Sequence, residues 1–435
     1  MMQPDVMGKN STADNGVNRR RRDVLKVTAV GAAGALAGCL GDDDEADDDV
    51  LRVGVYGPLT GPNAVIGEAK ERAWEVIADH VNENGGVAGA EIELVKADSE
   101  SEPAAGRSDV NRIIDDIDIL GGGFHSDVGL AVAELAHAEQ MPFILDEPVS
   151  EAINQLILDE DMQTVFKTSP PSEAYAVAWG NLVEDFDDAE VGYFPFDDQT
   201  IAMIAEDTSY GISVMDATAE QVEDAGWEVL SKNDVPLEET DFTSLLASIR
   251  SDEPDIVWAV QTNPAGTGAL VDQYDELDFG ESHFLHNFGL QGSDARDAAG
   301  DAANGAFSNV HPDGVPEYLD DLGWIDLWES ETDIDLASYA ATSMTNMWVI
   351  ANIVESTGGV SDFREMSAEE WQQHVIDHEP IQAGIGYIDY EDDHQAAWGA
   401  VDTIPTLAYQ IDGGETNLVW PFDIAEAEVN EEYYD

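Results

Sequence analysis

Cysteine and basic residues are scarce in this 435-residue chain. Cys39 is the only cysteine, which excludes an internal disulfide and a cysteine-based metal site. Lysine and arginine number 17 against 92 aspartates and glutamates, and the net charge is −75. A surface with so few cations cannot neutralise many phosphates, so we expect no nucleic-acid partner.

The acidic excess also bears on the medium in which the chain folds. In dilute buffer such a charge repels itself and destabilises the compact state. At molar salt the Debye length is ~3 Å, which screens most of this repulsion. The composition therefore indicates adaptation to high salt. An acidic disordered protein is excluded because 43% of the residues are hydrophobic and 10 are tryptophan.

Several catalytic signatures are missing from the sequence. None of the nine histidines lies in a His-Glu-x-x-His run, and neither Gly-x-Ser-x-Gly nor a phosphate-binding loop is present. The glycines at 121–123 do not form a dinucleotide-binding fingerprint. We therefore expect a protein that is not an enzyme and needs neither a cofactor nor a metal.

The N-terminal segment has the layout of an export signal. Arg21 and Arg22 precede a short apolar stretch of small residues at 27–38, and Cys39 follows directly. The arginine pair resembles a twin-arginine signal, and the run Leu-Ala-Gly-Cys resembles a lipobox. This resemblance implies that residues 1–38 are removed and that Cys39 carries a lipid. The alternative, a membrane anchor over residues 24–40, falls short of the ~20 apolar residues that a span needs.

The rest of the chain alternates between strand-like and helix-like segments. After an acidic tether at 39–49, strands are predicted at 51–56, 90–97, 117–121, 142–145, 200–206, 228–233, 256–260 and 282–286. Helices are predicted between them, at 104–115, 126–139, 173–185, 213–225, 242–250 and 266–276, and a long one at 336–356. Such alternation predicts an α/β fold with two doubly wound, Rossmann-like lobes.

Spaced motifs along this body resemble those of a known family. They are VGVYGPLTGP at 53–62, VNENGGVAG at 81–89, DTSYG at 207–211, TDF at 240–242 and PDIV at 254–257. Together they resemble the type I periplasmic-binding-protein family, in its branched-chain amino acid group, over about residues 50–420.

The resemblance implies two lobes joined by three hinge crossovers, near Thr168, near Val310 and between Tyr387 and His394. Lobe 1 then combines residues 50–168 and 311–387. Lobe 2 combines 169–310 and 388–425, and 426–435 form an acidic tail. A ligand is expected between the lobes, where the carboxyl ends of the strands meet.

The resemblance also implies ligand-binding residues. Ser126 falls on a serine that holds the ligand carboxylate, and Tyr210 falls on a tyrosine that covers the ligand. A helix N-terminus at Ser126 suits an anionic group, although a plain helix cap explains the same residue. For Tyr210, simple packing within its lobe is the alternative. The other candidates are Asp127, Phe124, Glu147, Ser150, Ser172, Thr262, Phe288 and Ile66.

Some of these positions depart from the amino acid pattern. The family's acidic residues fall on Ser172 and Phe288, which weakens the case for an α-amino acid, although Glu147 or Asp127 could replace the charge. Ile66 and Phe124 are expected to form an apolar wall, and His125 a structural or contact residue. The ligand is therefore expected to be a branched-chain amino acid or a related amide, urea or carboxylate.

These features lead to one expected function and one alternative. The chain is expected to be the lipid-anchored, extracellular solute-binding subunit of an ABC importer, monomeric, with a permease and an ATPase as partners. The alternative is a ligand-binding sensory protein of the same fold that partners a membrane receptor. The acidic C-terminal segment, which has no membrane span, favours the transporter role.

Overall fold

The computed structural model describes most of the chain beyond residue 48, namely residues 49–187, 196, 199–280, 282–310, 314–334, 336, 338–400, 403–422 and 424–433. The predicted signal, Cys39 and almost all of the predicted tether lie outside these described residues. Within them, no helix combines the length and apolar character needed to cross a bilayer.

The first sheet has five parallel strands in the order β2-β1-β3-β4-β5. Its elements alternate along the chain: β1 (Val50–Gly57), α1 (Ala64–Glu83), β2 (Glu91–Asp98), α2 (Pro103–Ile113), β3 (Ile119–Gly122), α3 (Ser126–Ala138), β4 (Phe143–Leu145), α4 (Glu151–Asp159) and β5 (Val165–Lys167). Strands β3 and β4 are buried along their whole length, as expected for a parallel sheet covered by helices on both faces.

The second sheet begins as another parallel, doubly wound unit. Its elements are α5 (Ser172–Asp187), β6 (Thr200–Glu206), α6 (Ser209–Asp224), β7 (Glu228–Val235), α7 (Thr243–Arg250), β8 (Ile256–Val260), α8 (Pro264–Glu276), β9 (His283–Asn287), α9 (Ser293–Ala299) and β10 (Phe307–Val310). Strands β6 to β10 are parallel, which confirms the predicted α/β class.

The last part of the chain packs helix 338–356 against the first sheet, adds two strands to the second sheet and forms a separate two-stranded sheet. It contains α10 (Pro316–Leu322), α11 (Trp324–Glu331), α12 (Ser338–Ser356), α13 (Val360–Arg364), α14 (Ala368–Ile376), β11 (Ile381–Ala383), β12 (Gly386–Ile388), β13 (Leu407–Asp412) and β14 (Glu415–Trp420). Strands β13 and β14 extend the second sheet in antiparallel sense, to the order β14-β13-β10-β9-β8-β6-β7.

Helix α12 is held against the first sheet by both packing and hydrogen bonds. Met344 and Met347 are fully buried in the core that it shares with α1. Asn346 donates its amide to the Ile144 carbonyl at 2.9 Å and accepts from the Gly122 N–H at 3.0 Å. This late helix therefore fixes the ends of β3 and β4, from which two loops of the candidate site depart.

Two of the predicted crossover segments lie side by side. The Lys167 N–H donates to the His394 carbonyl at 2.9 Å, and the Ala396 N–H donates to the Lys167 carbonyl at 3.0 Å. The hydroxyls of Thr168 and Tyr390 lie 2.7 Å apart. This pairing is compatible with neighbouring hinge strands, and the lobe boundaries themselves stay a prediction.

Each sheet has one point where the strand order reverses. In the first sheet β1 lies between β2 and β3, and in the second β6 lies between β7 and β8. Loops leaving such a point diverge to opposite faces and open a crevice at the carboxyl ends of the strands. Residues after β3 and β6 are thereby placed to line a site.

Candidate functional site

A cavity lies between the loops that follow the strands of the two sheets. Its empty volume, which is partly open to solvent, is about 360 Å³. The loops after β3 and β4 and those after β6, β8 and β9 contribute equally to its lining: Phe124, His125, Ser126, Glu147 and Val149 on one side, and Glu206, Thr208, Tyr210, Thr262 and Phe288 on the other.

Two glycines shape the turn from β3 into α3. Gly122 and Gly123 have φ angles of 92° and 127°, which favour glycine. A Cβ on Gly123 would also lie 2.9 Å from the Tyr56 hydroxyl oxygen. The tight turn directs the start of α3 at the cavity, with its unpaired backbone N–H groups and Ser126. The Ser126 hydroxyl accepts from the Ser150 N–H at 3.1 Å, which orients it.

A buried cation contacts Glu147. Lys70, from α1, is fully buried and donates to Asp146 Oδ2 at 3.0 Å and to Glu147 Oε2 at 2.6 Å. The Ser343 hydroxyl donates to Asp146 Oδ2 at 2.9 Å. Burial raises the pKa of Glu147 to about 7, because the attraction of Lys70 only partly offsets desolvation and Asp146 adds repulsion. The pKa of Lys70 itself is raised, since the two carboxylates outweigh its desolvation.

Glu206 is the second carboxyl group of the cavity and was not predicted. It is the last residue of β6 and is fully buried. The Thr208 hydroxyl donates to its Oε1 at 2.8 Å, while the Thr262 N–H and hydroxyl donate to its Oε2 at 2.7 and 2.8 Å. Burial raises its pKa to about 7 despite these three donors. A charged residue ending the apolar run at 201–205 was the signal that could have identified it.

His125 takes part in a chain of contacts that joins the two sides of the cavity. Its Nε2 lies 3.2 Å from Asn63 Oδ1, and the Asn63 amide donates to the Thr262 carbonyl at 3.0 Å. Burial lowers the pKa of His125 to about 4, so the imidazole is neutral at neutral pH. Its Nδ1 has no hydrogen-bond partner among the described residues.

Further contacts bridge the two sides next to the cavity. Asp127 accepts from the Ser209 N–H at 3.0 Å and from its hydroxyl at 2.5 Å, which ties α3 to α6. The rings of Phe124 and Phe288 lie 5.9 Å apart between centroids. Phe288 holds a φ of 73°, which is uncommon for a bulky side chain.

Most of the predicted ligand residues are brought together by this arrangement. Those that line the cavity are Phe124, Ser126, Glu147, Tyr210, Thr262 and Phe288. Tyr210 is held in place by the Asn287 amide, which donates to its hydroxyl at 2.7 Å. Ligand contact at these positions stays a prediction. Missing from the predicted set are Glu206, Thr208 and Val149.

The other predicted residues are not among those lining the main cavity. Asp127 is engaged by Ser209, whereas Glu147 and Glu206 are the carboxyl groups that line the cavity. Ser150 caps α4 by accepting from the Ala152 N–H, and the Ser172 hydroxyl lies 2.6 Å from that of Ser213. Ile66 lines a smaller neighbouring cavity of about 270 Å³ that shares Thr262 and Phe288 with the main one.

The lining chemistry suits binding. It comprises two carboxyl groups, a neutral imidazole, hydroxyls, aromatic rings and a helix N-terminus, and none of the described residues that line the cavity is lysine or arginine. Such a set can hold a small molecule by hydrogen bonds, charge and apolar contact.

Known proteins share both the sequence pattern and this architecture. Leu/Ile/Val-binding protein homolog 1 of Brucella abortus is 27% identical over 280 residues, covering 64% of this chain and 71% of that protein. A putative branched-chain amino acid ABC transporter structure from Silicibacter pomeroyi has a TM-score of 0.75 at 20% identity, covering 89% of this chain and all of that one.

A solute-binding protein of an ABC transporter from R. palustris, solved with benzoate, has a TM-score of 0.72 at 20% identity, covering 85% of this chain and 95% of that one. The family described as periplasmic binding protein matches residues 50–396, which include the first sheet, strands β6 to β10 of the second sheet and every residue lining the cavity. This chain therefore belongs to the periplasmic binding protein family, whose members bind solutes and are not enzymes.

Proposed function

We propose that this chain is the solute-binding subunit of an ABC importer. The observation that carries the proposal is the cavity of about 360 Å³ between the two sheets, bridged at its margin by the Asp127–Ser209 hydrogen bonds. Capture of a small polar solute by two closing lobes requires such a space, because ligand and water exchange when the bridging contacts open. The solute is then delivered to a permease driven by an ATPase.

The location belongs to the same proposal. Export by the twin-arginine route and a lipid on Cys39 would hold the folded body at the outer face of the membrane. The acidic run at 42–49 would act as a solvated spacer, since its like charges repel one another and extend the chain. A monomer suffices for this role.

Ligand-dependent thermal unfolding tests the binding function. The purified protein, in about molar salt, is heated with branched-chain amino acids, urea, short amides, small carboxylates and small amines in turn. A true ligand at a hundredfold excess over its Kd stabilises the native state by ~2.7 kcal/mol, which raises Tm visibly. A Tm unchanged by every compound would contradict the proposal.

Two variants test the location. Cys39→Ser should move the protein from the membrane fraction to the medium, because the lipid can no longer be attached. Replacing all four consecutive arginines, Arg19 to Arg22, by lysine should leave the protein inside the cell, since the charge is kept but no arginine pair remains. Membrane retention of Cys39→Ser would contradict the lipid anchor.

A further inference from the structure

We propose that the cavity recognises an organic cation whose ammonium-type nitrogen lies between Glu147 and Glu206 and against the aromatic rings of the lining. This inference rests on the proposed solute-binding function and names the ligand class for that same cavity. An organic cation differs from the neutral amides, urea and simple carboxylates that the sequence analysis suggested as ligands.

The charges around the cavity do not balance without a ligand. Lys70 is shared by Asp146 and Glu147, so one cation faces two carboxylates. Glu206 receives only neutral donors, from Thr208 and Thr262. None of the described residues that line the cavity is lysine or arginine. A positive charge on the ligand beside these carboxylates would supply the missing compensation, and a negative charge placed there would add to the imbalance.

An unpartnered oxygen points to the same chemistry independently. Glu147 is 4% exposed and lines the cavity, and its Oε1 has no hydrogen-bond partner among the described residues. A buried carboxylate oxygen left unpaired costs free energy, which a ligand N–H group can recover. Since Oε2 is taken by Lys70, Oε1 is the oxygen left for a ligand.

The hydrogen bonds around Glu206 favour its ionised form, which accepts hydrogen bonds and cannot donate one. A backbone N–H and two hydroxyls donate to its two oxygens, and this arrangement stabilises the ionised carboxylate. Burial opposes ionisation by raising the pKa of Glu206 to about 7. A cation beside Glu206 would relieve that conflict, whereas a ligand carboxylate would aggravate it.

The apolar part of the lining also suits a cation. Phe124, Tyr210 and Phe288 contribute aromatic rings to the same space as the two carboxyl groups. The negative face of an aromatic ring attracts an ammonium group, and this attraction grows when water is excluded. Rings and carboxylates together therefore favour a nitrogen cation that bears hydrocarbon substituents over a strongly hydrated metal ion.

Calorimetric titration with matched probes tests the inference. The full chain, at constant molar salt, is titrated with leucine, isopentylamine, 4-methylpentanoate and 4-methylpentanamide, which keep one carbon skeleton and change the head group. Choline and its neutral carbon analogue 3,3-dimethylbutanol form a second pair. We expect isopentylamine to bind roughly tenfold or more tightly than 4-methylpentanoate or 4-methylpentanamide, and choline roughly tenfold or more tightly than 3,3-dimethylbutanol.

Three isosteric variants test whether the two cavity glutamates cause the preference for ammonium probes. Glu147→Gln and Glu206→Gln should each lower the affinity for the ammonium probes roughly tenfold or more. The matched control is Glu223→Gln, which removes the same charge from an exposed position on α6 and should leave the affinity unchanged. Unfolding curves of each variant show whether it is folded before titration.

The outcomes separate the two proposals. Tighter binding of 4-methylpentanoate or 4-methylpentanamide than of the amine overturns the cation inference and leaves the solute-binding function standing. Equal loss of affinity in Glu223→Gln, or none in Glu147→Gln and Glu206→Gln, also overturns it. If neither these probes nor the amino acids, urea and amides bind, the solute-binding function itself fails.

Discussion

Lys70 Nζ lies 2.6 Å from Glu147 Oε2, and both side chains are buried in the first sheet's half of the molecule. The same ammonium group lies 3.0 Å from Asp146 Oδ2. One lysine therefore offsets part of the free-energy cost of burying two carboxylates at the edge of the cavity. The energetic role of this lysine is large because water is excluded from all three groups.

We expect Lys70→Met to destabilise the protein severely. The methionine fills a similar volume but leaves Asp146 and Glu147 buried without a cation. Loss of one partner from a buried ion pair costs about 3–5 kcal/mol. Urea unfolding in about molar salt measures this loss as a lower midpoint with an unchanged slope.

Lys96→Met is the matched control. Lys96 also contacts two carboxylates, Glu71 and Glu75, each at 2.7 Å, but its side chain is 29% exposed. Ion pairs open to solvent contribute about 0–1 kcal/mol, and salt weakens them further. Equal losses for Lys70→Met and Lys96→Met would show that burial of Lys70 does not govern its contribution.

Glu206 should make the unliganded protein less stable as the pH rises. Its pKa is about 7 in the folded protein against an ordinary value of 4.5, so between these limits the folded state holds a proton that the unfolded state has released. Stability falls with rising pH wherever the folded state binds more protons. Below this window both states are protonated and the effect vanishes.

The non-titrating Glu206→Gln variant isolates this contribution. Its stability relative to wild type should rise by roughly 3 kcal/mol between pH 4.5 and pH 7, since each unit of pKa shift corresponds to 1.36 kcal/mol. Denaturant unfolding at several pH values gives the difference directly. A flat difference across this range would mean that Glu206 titrates normally.

Gly123→Ala should damage both stability and the site. The φ of 127° disfavours alanine, and the new Cβ would lie 2.9 Å from the Tyr56 hydroxyl and from Pro148. Backbone strain of this kind costs about 1–3 kcal/mol, and the clash adds to it. Gly226→Ala is the control, because Gly226 also has a positive φ but nothing lies within 4 Å of its Cβ position. Thermal unfolding should show the larger loss at Gly123.

Asp127 and Ser209 should be energetically coupled. The carboxylate accepts from both the N–H and the hydroxyl of Ser209, so each single alanine substitution already breaks the hydroxyl hydrogen bond. A double-mutant cycle on stability should give a coupling energy of about 1 kcal/mol, in the range for contacting residues. Additive effects within about 0.3 kcal/mol would mean that this bridge does not hold the two sides together.

Much of the fold could be predicted from the spacing of apolar residues along the sequence. The predicted strands at 200–206 and 256–260 have the observed bounds, because buried parallel strands form continuous apolar runs. Helix α6 starts at Ser209, four residues earlier than predicted, since Thr208 caps it by accepting from the Gly211 N–H. The antiparallel strands β13 and β14 were not predicted. Strand β13 pairs with β10, which lies about a hundred residues earlier in the chain, and β14 pairs with β13.

The site was predicted only in part, and the omissions have a physical cause. The candidates that line the cavity follow strands or lie at the start of helices, and they were identified there from the resemblance to a family. Lys70 was overlooked although it lies on the buried face of α1 with Ile66 and Ala73, where a charge needs a partner. Its partners, Asp146 and Glu147, could not be identified without the three-dimensional fold.

The sequence by itself determined the α/β alternation, the acidic surface, the family and the loops that carry the site, because these follow from local periodicity, composition and motif spacing. Tertiary structure alone decided that Lys70 compensates Glu147, that Glu206 faces the same cavity from the second sheet, and that Asp127 meets Ser209. Charge pairing and desolvation depend on which side chains meet across the two sheets, and that depends on contacts between residues far apart in the chain.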